Sequence, residues 1–212
     1  MNTTYYTHNR EEIMDLVQHK PNRLLDIGCG EGRFATALSQ RFDAEAWGLE
    51  MDAHAAEEAR KSLHTVLLGT FEAVGSQLPL AYFDAVFFND VLEHMVDPWQ
   101  TLRDIQPHLA AGARIYASIP NFLFAENVLL LFKTKDWIYT DAGILDRTHM
   151  RFFTKKSMLK MFEDCGLEVQ TCQPLNAIDS FKWRMMNALT FGYTRDFLPM
   201  QYGLVAQVCR PA

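Results

Sequence analysis

The sequence predicts a doubly wound α/β domain, built on a mostly parallel seven-stranded sheet with helices between the strands and an insertion after the fifth strand. Three observations predict it. Short apolar runs alternate with helical patterns along the chain. Three glycines, Gly28, Gly30 and Gly32, lie between the first apolar run and the first helical pattern. An acidic residue, Glu50, closes the second run.

The elements follow in order. Arg23–Ile27 (RLLDI) is a short buried strand stopped by Gly28. Positions 31–41 form a helix with Phe34, Ala37, Leu38 and Phe42 giving its apolar face. Positions 46–50 (AWGLE) are a second strand, 53–63 a helix rich in Ala, Glu, Arg and Lys, and Thr65–Leu68 a third strand. Positions 84–88 (DAVFF) are the fourth. Asp97 before Pro98 marks a helix start, because the carboxylate caps and proline suits the first helical position. That helix is expected to reach about Leu109 and to end near Gly112, before a fifth strand at 114–119 closed by Pro120. From about 121 to 150 the rhythm breaks, and the chain is rich in Phe, Leu, Trp and Tyr and then in charge. This is where a doubly wound enzyme carries its variable, substrate-facing insertion. Thr154 caps a helix that Gly166 stops, 167–172 is a sixth strand, 177–189 is helical or mixed, and 202–209 (YGLVAQVC) is the last strand.

The 212 residues fit one domain spanning 1–212, and an apolar share of 49% provides a core without staples. A net charge of −6 argues against a general nucleic-acid binder. Cys29, Cys165, Cys172 and Cys209 form no CxxC pair and read as reduced thiols of a cytosolic protein. The stretch MNTTYYTHNREEIMDL has no signal-peptide pattern, so a cytoplasmic location is expected. The longest apolar run, 128–132, is far shorter than the ~20 residues of a membrane span.

The glycine loop serves two needs: a sharp turn out of the strand and a close backbone approach to a ligand. The dinucleotide fingerprint is G-x-G-x-x-G, with a helix N-terminus facing pyrophosphate. Here the spacing is Gly28-x-Gly30-x-Gly32, and Asp26 stands two residues before the first glycine. A carboxylate there repels pyrophosphate and suits a cofactor with a cationic end. Glu50 follows Asp26 by 24 positions, where an acidic side chain can accept both hydrogen bonds from a ribose diol. Its plainer reading is a solvated carboxylate at a strand end.

LLDIGCGEGRF resembles motif I of the class I S-adenosylmethionine-dependent methyltransferases. WGLEMD resembles their acidic second-strand end, and FDAVFFNDVLEHMVDP their fourth-strand motif. The resemblance covers nearly the whole chain and implies a Rossmann-like fold with S-adenosylmethionine as cofactor and S-adenosylhomocysteine as product. It implies that Asp26, Gly28 and Gly30 hold the methionine part, and that Glu50 and Met51 hold the ribose and flank the adenine. Thr70 and Phe71 would lie near the adenine edge; many relatives have Asp where Thr70 stands, so that carboxylate contact is missing. Asn89, Asp90 and Val91 would line the floor below the sulfonium. Residues 1–20 resemble a segment that folds over the cofactor, where Tyr6 could cover the methyl donor and Arg10 meet the methionyl carboxylate.

Methyl transfer to a hydroxyl requires in-line positioning and removal of a proton. His94 and His149 are the candidate catalytic bases. Each has a bland alternative, a structural hydrogen bond for His94 and a cap or hinge contact for His149. Asp90, Glu93, His94, Asp141, Asp146 and His149 match no standard metal-ligand spacing, and no metal is expected. Arg147 or Arg151 could pair with a carboxylate or phosphate of the acceptor; the bland alternative is an internal salt bridge tying the insertion to the core. The apolar stretch 121–135 could be a lid, a dimer face or a membrane-surface helix, so peripheral membrane contact stays open, as does the oligomeric state. TDAGILDRTHMRFFT resembles a subgroup associated with surface-polysaccharide and sugar modification. The expected function is O-methylation of a small, sugar-like or other polar acceptor. The alternatives are a non-catalytic cofactor-binding or scaffolding module and, disfavoured by Asp26, an NAD-dependent oxidoreductase.

Overall fold

In the computed structural model, which describes residues 11–178 and 181–209, seven strands share one sheet. They are β1 (Arg23–Ile27), β2 (Glu45–Glu50), β3 (Thr65–Leu68), β4 (Phe83–Asn89), β5 (Leu109–Pro120), β6 (Leu167–Ala177) and β7 (Pro199–Val208). Their order is β3-β2-β1-β4-β5-β7-β6. The first five pair in parallel. β7 runs antiparallel between β5 and β6. The helices are α1 (Glu11–Met14), α2 (Arg33–Phe42), α3 (Ala53–Ala59), α4 (Phe71–Val74), α5 (Pro98–Asp104), α6 (Ala125–Thr134), α7 (Lys155–Asp164) and α8 (Phe181–Leu189).

The central strands are apolar almost throughout because both their faces are covered. Alternate residues enter opposite cores. Leu25, Ile27, Val86 and Phe88 pack with Leu102 of α5 and Met158, Met161 and Phe162 of α7. Leu24, Ala85 and Phe87 pack on the other face with Phe34, Ala35 and Leu38 of α2 and Ala56 and Ala59 of α3. Phe87 stacks on Tyr116 of β5 at 4.8 Å between centroids and meets Phe34 edge-on at 5.2 Å.

Several boundaries differ from expectation: the helix expected from 31 starts at Arg33, and the one expected to 63 ends at Ala59. The helix after Asp97 ends at Asp104, a 3-10 turn spans Gln106–His108, and Leu109 already opens β5. Pro107 explains this, since it lacks the N–H that would continue the helical ladder. Gly112, at φ 80°, sits inside β5, beside a shift in its register with β4. β6 extends to Ala177 and β7 starts at Pro199, because each prolongs the other's ladder. The insertion carries α6, which buries Ala125 and leaves Leu129 and Phe132 exposed. Among the described residues, no helix is long and apolar enough to cross a membrane.

Candidate functional site

The strand order reverses between β1 and β4: from β1 the chain winds outward to β2 and β3, and from β4 to β5. Such a reversal opens a crevice beyond the carboxyl ends of the strands. The glycine loop, Glu50 and the turn after Asn89 all lie at that edge.

Gly28, Gly30 and Gly32 all have positive φ, at 72°, 55° and 78°. Gly28 N and Cys29 N donate to Leu49 O, which folds the loop back over the end of β2. A Cβ on Gly28 would stand 2.7 Å from Val91 Cγ2, so the loop is closed against the turn after β4. Glu50 is buried; its Oε2 accepts from Gly30 N at 2.7 Å and its Oε1 from Asp52 N at 2.8 Å. Asp26 is 2% exposed, and Asn89 Nδ2 donates to its Oδ1 at 3.3 Å. Asn89 Oδ1 is buried with no hydrogen-bond partner among the described residues. Burial, with the carboxylates of Asp26 and Glu50 adding to it, pushes the Cys29 thiol far above its ordinary range. It stays protonated and unreactive.

The donor set tests which cofactor fits. Two buried carboxylates and an unpartnered amide oxygen are acceptors only at these atoms. They match an ammonium group and ribose hydroxyls, and they oppose a pyrophosphate. Met51 is 73% exposed at the crevice edge. Thr70 is the N-cap residue of α4. Phe71 is buried, and its ring packs in the core. A Cβ on Gly75 would touch that ring at 3.1 Å. Tyr6 and Arg10 lie outside the described residues.

On the acceptor side, Asp90 takes φ 53°. Its N–H donates to Ser118 O and Oγ, and its Oδ1 accepts from Ser118 Oγ and Gln201 Nε2. The turn after β4 is thus tied to β5 and β7. A 3-10 turn, Leu92–His94, follows. The insertion returns across it, with Met150 N and Arg151 N donating to Glu93 O at 2.8 and 3.0 Å, and Arg151 Nη2 to Val96 O. This crossing places the His94 and His149 rings 4.6 Å apart, edge to face. His149 Nδ1 lies 3.0 Å from Ile144 O. His94 Nδ1 lies 3.3 Å from Thr148 O and 3.1 Å from Thr148 Oγ1. Burial first, then the neighbouring His149, lowers the His94 pKa from its ordinary value, although Asp146 and Asp90 pull it up.

Glu93, His94 and His149 offer donor atoms within 4.8 Å of one another, a grouping able to accept a proton or a metal ion. Spacing along the chain concealed it, because His149 arrives from the insertion. Arg147 pairs with Asp141 at 2.6 Å, both exposed and both within the insertion, so this bridge does not tie the insertion to the core as the bland alternative had it. An aromatic wall adjoins the histidines: Phe152 lies 6.2 Å from His149 and 5.0 Å from Trp137, and Trp137 stacks on Phe122 at 5.1 Å. Thr148, Trp137 and Phe152 were not singled out from the sequence. For the last two, the aromatic enrichment of the insertion was the available signal.

Residues 2–171 match a family model described as a methyltransferase domain. The ubiquinone biosynthesis O-methyltransferase of Aeromonas salmonicida is 27% identical over 190 residues, covering 85% of this chain and 78% of that protein. The Vibrio cholerae protein of that name is 29% identical over 161 residues, covering 70% of this chain and 62% of the relative. A SAM-dependent methyltransferase structure from Archaeoglobus fulgidus superposes with a TM-score of 0.67 at 19% identity, covering 92% of this chain and 91% of the other.

Proposed function

The chain belongs to the methyltransferase-domain family and uses S-adenosylmethionine, and from that premise we propose that it methylates a hydroxyl of a small polar acceptor, sugar-like in class, with His94 and His149 taking the proton. One observation carries the reading: two imidazoles from distant parts of the chain meet 4.6 Å apart beside the carboxyl end of β4. The names of its relatives as O-methyltransferases support oxygen as the acceptor atom.

S-adenosylmethionine, when bound, supplies a sulfonium-activated methyl group. The residues divide the remaining work. Asp26 and Asn89 receive the ammonium, with Gly28 and Gly30 allowing close backbone approach. Glu50 would hold the ribose hydroxyls, and Met51 would flank the adenine. Thr70 and the backbone of Phe71 meet the adenine edge. Asp90 and Val91 would form the floor, and Tyr6 and Arg10 are the N-terminal candidates for covering the methyl donor and pairing with the methionyl carboxylate. Phe152 and Trp137 offer a ring face to the acceptor. His94 and His149 are placed to accept its proton. The chain's negative charge sets a small acceptor ahead of a nucleic acid.

The test is a panel of sugars, nucleotide sugars and phenols, with S-adenosylhomocysteine release followed and the methyl group located by mass spectrometry. The expected product is a methyl ether of a sugar hydroxyl. His94→Gln and His149→Gln should each lower turnover by about a hundredfold, with S-adenosylhomocysteine binding unchanged in calorimetry. A methylated nitrogen, or full turnover in the double variant, overturns the reading. So does loss of activity with a chelator and its rescue by a divalent cation, which would assign Glu93, His94 and His149 to an ion.

A further inference from the structure

We propose that Asp146 and Thr148 form a relay that locks the neutral His94 ring as the Nδ1–H tautomer and turns its Nε2 lone pair out as the base. The inference deepens the reading of His94 as a proton acceptor and rests on it.

The argument is one of hydrogen-bond direction. A hydroxyl has one proton. Thr148 Oγ1 donates that proton to Asp146 Oδ1 at 2.6 Å, and Thr148 N donates to the same oxygen at 2.8 Å. Toward His94 Nδ1, 3.1 Å away, the hydroxyl can therefore only accept. The second neighbour of Nδ1 is Thr148 O, a carbonyl oxygen that also only accepts. Both contacts demand a proton on Nδ1. In the neutral ring the remaining lone pair is then on Nε2.

Asp146 holds the other end. It is buried, which alone would raise its pKa. The hydrogen bonds from Thr148 together with the neighbouring histidines outweigh that and keep it below its ordinary range, so the acceptor end of the relay is a carboxylate. The groups facing His94 are Asp146 and His149 from the insertion and Asp90 and Glu93 from the turn after β4. Arg147 is turned outward to Asp141. Asp146 and Thr148 are positioning residues that act through His94.

The His94 tautomer is read directly by long-range nitrogen–proton NMR on the full chain with labelled histidine, the signal assigned by its loss in His94→Gln. The wild type is expected to show the Nδ1–H form. Thr148→Val should weaken the Nδ1–H preference and let a minor Nε2–H form appear, since the carbonyl contact that remains, at 3.3 Å, favours Nδ1–H less strongly than two acceptors do. Thr148→Ser should restore the single form. Asp146→Asn keeps an acceptor for the hydroxyl but removes the charge. The tautomer should persist while the His94 titration midpoint moves to lower pH. With an acceptor in hand, Thr148→Val should cut kcat about tenfold with KM for S-adenosylmethionine unchanged, and Thr148→Ser should recover it. An Nε2–H tautomer in the wild type, or a Thr148→Val spectrum identical to it, overturns the relay whatever the acceptor proves to be. If the tautomer is as expected and His94→Gln turns over at the wild-type rate, the relay stands as structure and the base reading fails on its own.

Discussion

At the residue scale the two halves of the site respond to different forces. Gly28 and Gly143 both have positive φ, but an added Cβ would meet Val91 at 2.7 Å at the first and nothing within 4 Å at the second. Gly143→Ala should cost only the left-handed backbone term, about 1–2 kcal/mol. Gly28→Ala carries that term and a clash that drives the loop from the turn after β4. Denaturant unfolding should show the larger loss for Gly28→Ala, and calorimetry should show weakened S-adenosylhomocysteine binding in that variant alone. Equal behaviour of the two would refute the closed-loop geometry. His94 offers a second check. With its pKa lowered, mainly by burial, the folded ring resists a proton that the unfolded ring accepts near pH 6.5. Stability from this group is therefore present above about pH 6.5. It is lost as the pH falls through the folded value. An NMR titration midpoint below the free-histidine value is expected, and one above it would reverse the sign. The grouping of Asp26, the glycines and Glu50 at one sheet edge was legible because they are neighbours along one strand–loop–helix–strand unit. The partnership of His94 with His149 and Thr148 was not. Thr148 lies 54 positions from His94, and only the backbone crossing over Glu93 brings them together.

At the element scale, local chemistry was a good guide wherever a cap or breaker acts alone. Thr154 and Ser157 form a reciprocal cap on α7, with Thr154 Oγ1 accepting from Ser157 N and Ser157 Oγ from Thr154 N. Thr154→Ala should lower stability by about 1 kcal/mol. Met158, Met161 and Phe162 are fully buried, so they keep the helix docked and turnover should hold. A fall in the urea midpoint at constant slope, with unchanged kcat, is the expected record. A large loss of activity would mean that the helix start also holds the acceptor loop. Periodicity misled where two signals overlapped. The pattern from Asp97 to Gly112 reads as one helix, yet Pro107 splits it into α5, a 3-10 turn and the start of β5. The added length of β6 and β7 was equally hidden, since it depends on each strand finding the other.

At the scale of the whole molecule, the sheet order decides where a ligand binds, and ligand binding in turn should stabilise the fold. The placement of antiparallel β7 between β5 and β6 is a pairing choice among strands and leaves no mark in any one of them. Its consequence is physical, because Gln201 on β7 reaches Asp90 at 2.8 Å and so braces the turn after β4. A ligand that binds only the folded chain, at a hundred times its Kd, adds about 2.7 kcal/mol. For a chain of 212 residues that corresponds to a rise in Tm of about 5–10 °C. S-adenosylhomocysteine should produce such a rise. Asp26→Asn and Glu50→Gln should lose most of it when each variant is measured against its own ligand-free Tm. That comparison separates lost binding from lost stability, which matters because Asp26 and Glu50 also hold Asn89, Gly30 and Asp52 in the free protein. NADH should leave Tm unchanged. A rise with NADH and none with S-adenosylhomocysteine would mean that the buried carboxylates do not select a cationic cofactor.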